Sequence, residues 1–183
     1  MNNTQNPSAL RSKLMITEAL LKLMNDHPYQ EITVKQIILE TDLVRKTFYR
    51  NFSSKDDVLD SIITSKIAEY ANEIITSPLR PLPVIFSFCD RNRDLLLLLH
   101  KNNLLHLLLL KLNIMIPQIN LITDRSNNVF KEMIGDLEPD YLIAFNIGAI
   151  WNVIFKWVER GMTDPADEIK NTIEIYLNLF SNH

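Results

Sequence analysis

Between Ile16 and Met24 the apolar residues Ile16, Ala19, Leu20, Leu23 and Met24 recur three and four positions apart, which sets them on one stripe of a helix. The same spacing returns along most of the chain, and no long run alternates with the period of two that a half-buried strand needs. Only three glycines occur in 183 residues, and Leu, Ile, Lys, Glu and Asn dominate, so propensity agrees with pattern. An all-α fold is therefore expected. With 46 % of its residues hydrophobic, the chain can bury a core in one large or two small domains.

Boundary signals divide this pattern. A first helix is predicted from Ser12 to Asn25, stopped by His27 and Pro28. Thr33-Val-Lys-Gln36 is a capping box, in which the threonine oxygen accepts from the Gln36 backbone and Gln36 reaches back. It predicts a helix from Val34 to about Glu40 that buries Val34, Ile37 and Ile38. Asp42 and Leu43 read as a tight turn, because aspartate tolerates left-handed backbone. A short helix follows over VRKTFYRNF, residues 44–52. Ser53 and Ser54, with Asp56 and Asp57 three residues on, start a longer helix reaching about Thr76.

Pro78, Pro81 and Pro83 interrupt the helical pattern and mark a junction. The expected domains are residues 1–55, with a connecting helix to about 77, and residues 78–183. In the second, helices are predicted from Pro83 to Arg93, Asp94 to His100, Leu104 to about Asp124, Pro139 to Arg160 and Pro165 to Ser181. Gly161 sits where a helix stop belongs, and the prolines at 139 and 165 suit first helical positions.

Net charge is −3, but its distribution is uneven. Residues 1–55 carry eight Lys and Arg against five Asp and Glu, and the remainder eleven against seventeen. The chain is basic only at its front, where a nucleic-acid partner would bind. The leucine-rich tract from Asp94 to Leu112 is broken by His100, Lys101, Asn102, Asn103, His106 and Lys111, well short of the roughly 18 unbroken apolar residues of a span. It reads as core, and no membrane partner is expected. MNNTQNPSA lacks the apolar segment of a secretory signal. Cys89 has no cysteine to pair with, which fits a reducing compartment. A cytoplasmic location is expected.

Two short helices joined by a tight turn, behind a longer supporting helix, are the layout of a helix-turn-helix DNA reader. On a helical wheel Phe48 and Phe52 lie one turn apart and can pin the second helix, while Arg45, Lys46, Tyr49 and Arg50 lie off that contact. From Leu43 to Lys55 there are four cations and no acid, a surface suited to phosphates and to guanine edges. A solvated charged helix would show the same composition.

The order of residues is more specific. ITVKQIILETDLVRKTFYRNFSSKDDVL resembles the N-terminal DNA-binding domain of the TetR/AcrR family of transcriptional regulators. Ile32-Thr33-Val34, Thr47-Phe48-Tyr49, Phe52, Ser54-Lys55 and Val58-Leu59 keep the family register over about 28 residues. The resemblance implies an N-terminal three-helix helix-turn-helix domain and a C-terminal helical bundle, about nine helices in all. It implies base-edge contacts from Lys35, Arg45, Lys46 and Tyr49, and phosphate contacts from Thr33, Thr47, Arg50, Asn51 and Lys55. Three departures stand out. Thr41 and Asp42 replace the family's usual small residue and glycine in the turn, and Val44 replaces its polar N-cap. Valine cannot cap, a loss of about 1 kcal/mol of local support.

For the second domain the resemblance implies ligand sensing and dimerisation. Gly148 to Ile169, with paired tryptophans and Gly161-Met162, resembles a branch common among low-GC Gram-positive regulators. Apolar residues surround more than one face of the helix from Pro139, and a stripe runs along the last helix. A homodimer built from these two helices would bury the surplus through Ile147, Ile150, Ile154, Trp157, Ile173, Tyr176, Leu177 and Phe180, setting two readers roughly 34 to 36 Å apart. Burial within one protomer is the alternative. A cavity for a small-molecule effector is expected near Phe86, Phe88, Cys89, His106, Leu109, Met115, Phe145 and Trp151, all of which also read as core filler.

His100 and His106, six positions apart, do not share a helical face for a metal, and neither a metal nor a cofactor is expected. No phosphate-cradling glycine loop, H-E-x-x-H or G-x-S-x-G occurs, so no enzymatic activity is expected. The expected partners are double-stranded operator DNA, a second copy of the chain and a small-molecule effector, and the expected output is repression. A competing expectation is a coactivator or adaptor that recruits a protein through the second domain.

Overall fold

The computed structural model describes residues 7–77, 81–122 and 139–181. Among these the order is α1 (Pro7–Asp26), a 3-10 turn (Tyr29–Glu31), α2 (Val34–Thr41), α3 (Arg45–Asn51), α4 (Lys55–Thr76), α5 (Pro81–Arg91), α6 (Arg93–Lys101), α7 (His106–Ile122), α8 (Pro139–Glu159) and α9 (Ala166–Ser181). The described residues are thus helical, with no strand among them, as the periodicity predicts. They divide into two compact units, residues 1–65 and 66–183. The division falls inside α4, ahead of the proline group, so this helix lends its first half to one core and its second half to the other.

In the first unit α1 begins at Pro7 rather than Ser12. Proline suits a first helical turn, where its missing N–H is not needed, and Ser12 Oγ donates to the Ser8 carbonyl at 2.9 Å. Ile16, Ala19, Leu20 and Met24 are buried, which is the stripe seen in the sequence. α1 packs against α2 and α3, and those two against each other. Thr33 closes its capping box, accepting from Gln36 N at 3.3 Å while Thr33 N donates to Gln36 Oε1 at 2.8 Å. Ile37 is fully buried; Val34 and Ile38 are half-buried, a shallower placement than the sequence predicts.

The turn after α2 forms because Asp42 takes the left-handed conformation, φ 54°. Thr41, in place of a small residue, is buried, and its hydroxyl donates to the Ile38 carbonyl at 3.0 Å and accepts from Leu43 N at 3.3 Å. α4 is capped by Ser54, whose Oγ accepts from Asp57 N at 3.1 Å, and Asp57 reaches back to Ser53 N at 2.8 Å.

In the second unit Pro81 and Pro83 both fall in the first turn of α5, where proline is tolerated. The helix therefore starts earlier than predicted, and it ends at Arg91. Tyr70 and Ile74 of α4, Val84 of α5, Ile116 of α7 and Ile143 of α8 form a buried cluster, with Phe88 packed against it. Phe86 lies against Trp157, ring centroids 5.9 Å apart. α8 stops at Gly161, φ 73°, whose N–H donates to the Val158 carbonyl at 2.8 Å; Met162 N then donates to Trp157 O at 2.8 Å. The Arg93 guanidinium donates to the carbonyls of Met162 and Gly161, tying this corner to α6. Pro165 lies one residue before α9 and supplies the first accepting carbonyl, to Glu168 and Ile169.

Phe48 is completely buried in the first unit. Replacing it by Ala is expected to cost about 3–5 kcal/mol, read as a lowered urea midpoint of the purified chain; an unchanged midpoint would show that α3 is held by other contacts.

Candidate nucleic-acid interface

Seven residues cannot sustain a helix in water on their own, and α3 has no side-chain cap, since Val44 occupies its N-cap. Packing supplies what capping does not. Phe48 is 0 % and Phe52 4 % exposed, their rings 6.3 Å apart. The Lys13 ammonium of α1 lies over the Phe52 ring at 5.9 Å. The aromatic face thus turns inward, as the wheel predicts.

The opposite face carries the donors. Arg45, Lys46, Tyr49 and Arg50 are exposed, Thr47 and Asn51 half-buried. The Tyr49 ring meets Phe48 edge-on at 5.3 Å, and the Arg45 guanidinium sits over it at 5.4 Å. A buried phenylalanine therefore steadies an exposed tyrosine, which steadies an arginine. Such a stack lowers the freedom that both donors would lose on binding. Lys35 is exposed on α2.

Three residues assigned to phosphates have internal duties. Thr33 is engaged in the capping box, and its hydroxyl also donates to Gln36 Oε1 at 2.7 Å. Asn51 Nδ2 donates to the Thr47 carbonyl at 2.7 Å. Lys55 is engaged as well. Its ammonium donates to the carbonyls of Tyr29 at 2.7 Å, Gln30 at 3.1 Å and Ile32 at 2.8 Å, and lies 4.6 Å from the Tyr29 ring centre. An ammonium has three protons to donate, and here all are committed to the backbone. Beside it Tyr29 OH donates to Asp56 Oδ1 at 2.5 Å; burial, then the carboxylate, hold the phenol above its usual range. This brace joins the 3-10 turn to the start of α4. Its partners are separated by more than twenty residues, so no local signal marks it.

In the second unit the expected effector residues do not share one environment. Phe86, Cys89 and Trp151 are buried, and Phe88, Leu109 and Met115 half-buried. His106 is exposed, and Phe145 is 71 % exposed. His106 opens α7, and Phe145 faces away from the Ile143 side of α8. Burial pushes the Cys89 thiol up to about 12. No group of three or more His, Cys, Asp or Glu able to hold a metal occurs among the described residues.

Residues 16–62, from α1 into α4, match the model of the family described as bacterial regulatory proteins, tetR family. The N-terminal domain is a tetR-family domain. It is a helix-turn-helix, DNA-binding module of transcription regulators, with α2 and α3 as the two helices of the motif. Two solved structures extend the likeness of fold to nearly the whole chain. One, titled a TetR transcriptional regulator from Streptococcus agalactiae 2603V, is 18 % identical and covers 94 % of each chain with a TM-score of 0.63. The other is the dihydroxyacetone kinase operon activator DhaS, 19 % identical over 92 % of this chain and 94 % of its own, with a TM-score of 0.58. A comparison with curated proteins finds none that matches. At 18 % and 19 % identity these two likenesses are likenesses of fold. No helix among the described residues is long and apolar enough to cross a membrane.

Replacing Lys55 by Met removes the ammonium from three carbonyls, of which that of Tyr29 keeps the Ile32 N–H. It is expected to lower unfolding stability by about 1–3 kcal/mol. Unchanged stability together with a shallower salt dependence of DNA binding would return Lys55 to a phosphate-binding role.

Proposed function

We propose that this chain is a homodimeric transcriptional regulator that binds a pseudo-palindromic operator and responds to a small-molecule effector, with repression as its output. The observation that carries the reading is the division of α3 into two faces within a tetR-family domain: Phe48 and Phe52 buried, Arg45, Lys46, Tyr49 and Arg50 exposed. Arg45, Lys46, Tyr49 and, from α2, Lys35 would meet base edges; Arg50 and Thr47 would meet phosphates. An effector favouring a different spacing of the two readers would weaken operator binding in proportion to its preference for that state. DhaS carries the name of an activator. That name describes DhaS, and a promoter fusion in cells with and without this chain sets the sign here.

The dimer reading is supported by a set of residues that shares Tyr176 alone with those the sequence singles out. Ile154 and Trp157 are 3 % and 2 % exposed within their own protomer, and Trp157 Nε1 donates to the Asp164 carbonyl at 2.9 Å. Both are buried in the protomer's own core. Ile147, Ile150 and Ile173 are half-buried and Tyr176 is exposed, while the side chains of Leu177 and Phe180 lie outside the described residues. Instead α8 exposes Tyr141, Phe145 and Phe155, and α9 exposes Ile175 and Tyr176. Beside Phe145, a methyl group placed on Gly148 would meet nothing within 4 Å. Large exposed apolar residues on two helices suit an isologous contact with a second copy.

Replacing Arg45 or Tyr49 by Ala is expected to cost about 1–3 kcal/mol of operator affinity, with log affinity falling as log salt rises. Unchanged affinity in a fluorescence titration would remove these residues from the interface. Replacing Phe145 by Lys is expected to weaken self-association by about 2 kcal/mol or more, seen as monomer in sedimentation; an intact dimer would place the contact elsewhere.

A further inference from the structure

Val44 is 67 % exposed, directly ahead of a row of donors. It serves α3 through its backbone alone. Its carbonyl accepts from Thr47 N at 2.8 Å and Phe48 N at 3.4 Å, while its side chain makes no capping bond. The residue is therefore held in place, with φ −76° and ψ 147°, and valine's stiff χ1 leaves its methyl groups few orientations. Arg45 and Lys46, next in the chain, are exposed as well. Leu39 is equally exposed, but it sits near the end of α2 and not among the leading residues of the second helix.

The leading residues of the second helix in such a motif meet base edges in the major groove. Among the groups displayed there, the thymine 5-methyl is the one an apolar side chain recognises. We infer that Val44 is a specificity-determining residue that reads the 5-methyl group of one thymine in each operator half-site. The assignment rests on the DNA-binding reading above and adds to it recognition of the methyl group itself, which no hydrogen-bond donor on α3 could supply.

The test uses the full chain and a duplex enriched from random DNA by repeated binding to it. Each thymine of that duplex is replaced in turn by uracil, which removes the methyl and preserves every hydrogen-bonding group. Affinity is expected to fall about fourfold at one thymine per half-site, the factor one buried methyl group is worth. Val44→Ser, which offers a capping hydroxyl in place of the methyls, is expected to bind thymine and uracil duplexes equally at that position. Wild-type affinity unchanged at every uracil, or the same uracil penalty retained by Val44→Ser, would overturn the inference while leaving DNA binding intact. Failure of any duplex to enrich would overturn the DNA-binding reading, and this inference with it.

Discussion

Everything proposed for the N-terminal domain depends on the burial of one aromatic ring. α3 is too short to be stable by its own hydrogen bonds and starts from a residue that cannot cap it. Phe48, with no exposed surface, converts this weak helix into part of the core. Because inward and outward positions on a helix are about half a turn apart, anchoring one face sets the direction of the other. Tyr49 is steadied against the same ring and Arg45 against Tyr49, so order passes from the core to the surface by contact.

Positive charge near the reader follows two different uses. Arg45, Lys46 and Arg50 reach solvent, whereas Lys55 satisfies carbonyls around the 3-10 turn that precedes α2. A cation in such a place acts as a brace, because backbone acceptors left without a partner near a core are costly. The surface charge of Lys22 is similarly paired with Glu40, linking α1 to α2. Counting cations along this stretch therefore overstates how many remain for phosphate.

Features whose causes are local were legible in the sequence. The stripe of α1, the Thr33 capping box, the Asp42 turn, the Ser54 start of α4 and the Gly161 stop each depend on residues within a few positions of one another. The inward turn of Phe48 and Phe52 was legible for the same reason. Contacts between distant segments were not. Lys55 meets residues more than twenty positions earlier, and whether Trp157 faces its own core or another chain depends on Phe86 of α5. Helix α8 is apolar around most of its circumference, so periodicity could not say which side its own protomer covers. The structure shows that Trp157 and Ile154 face inward and Phe145 outward.

The lone cysteine has a practical consequence. Cys89 is enclosed by the second unit's core, and a thiol with its pKa near 12 holds its proton at neutral pH, where thiolate is the form that alkylating reagents attack. Enclosure and a retained proton both slow the attack of maleimides on the folded molecule. A cysteine engineered onto an outward-facing position would be a single addressable attachment point, and a fluorophore or spin label could be installed without first deleting the native sulfur.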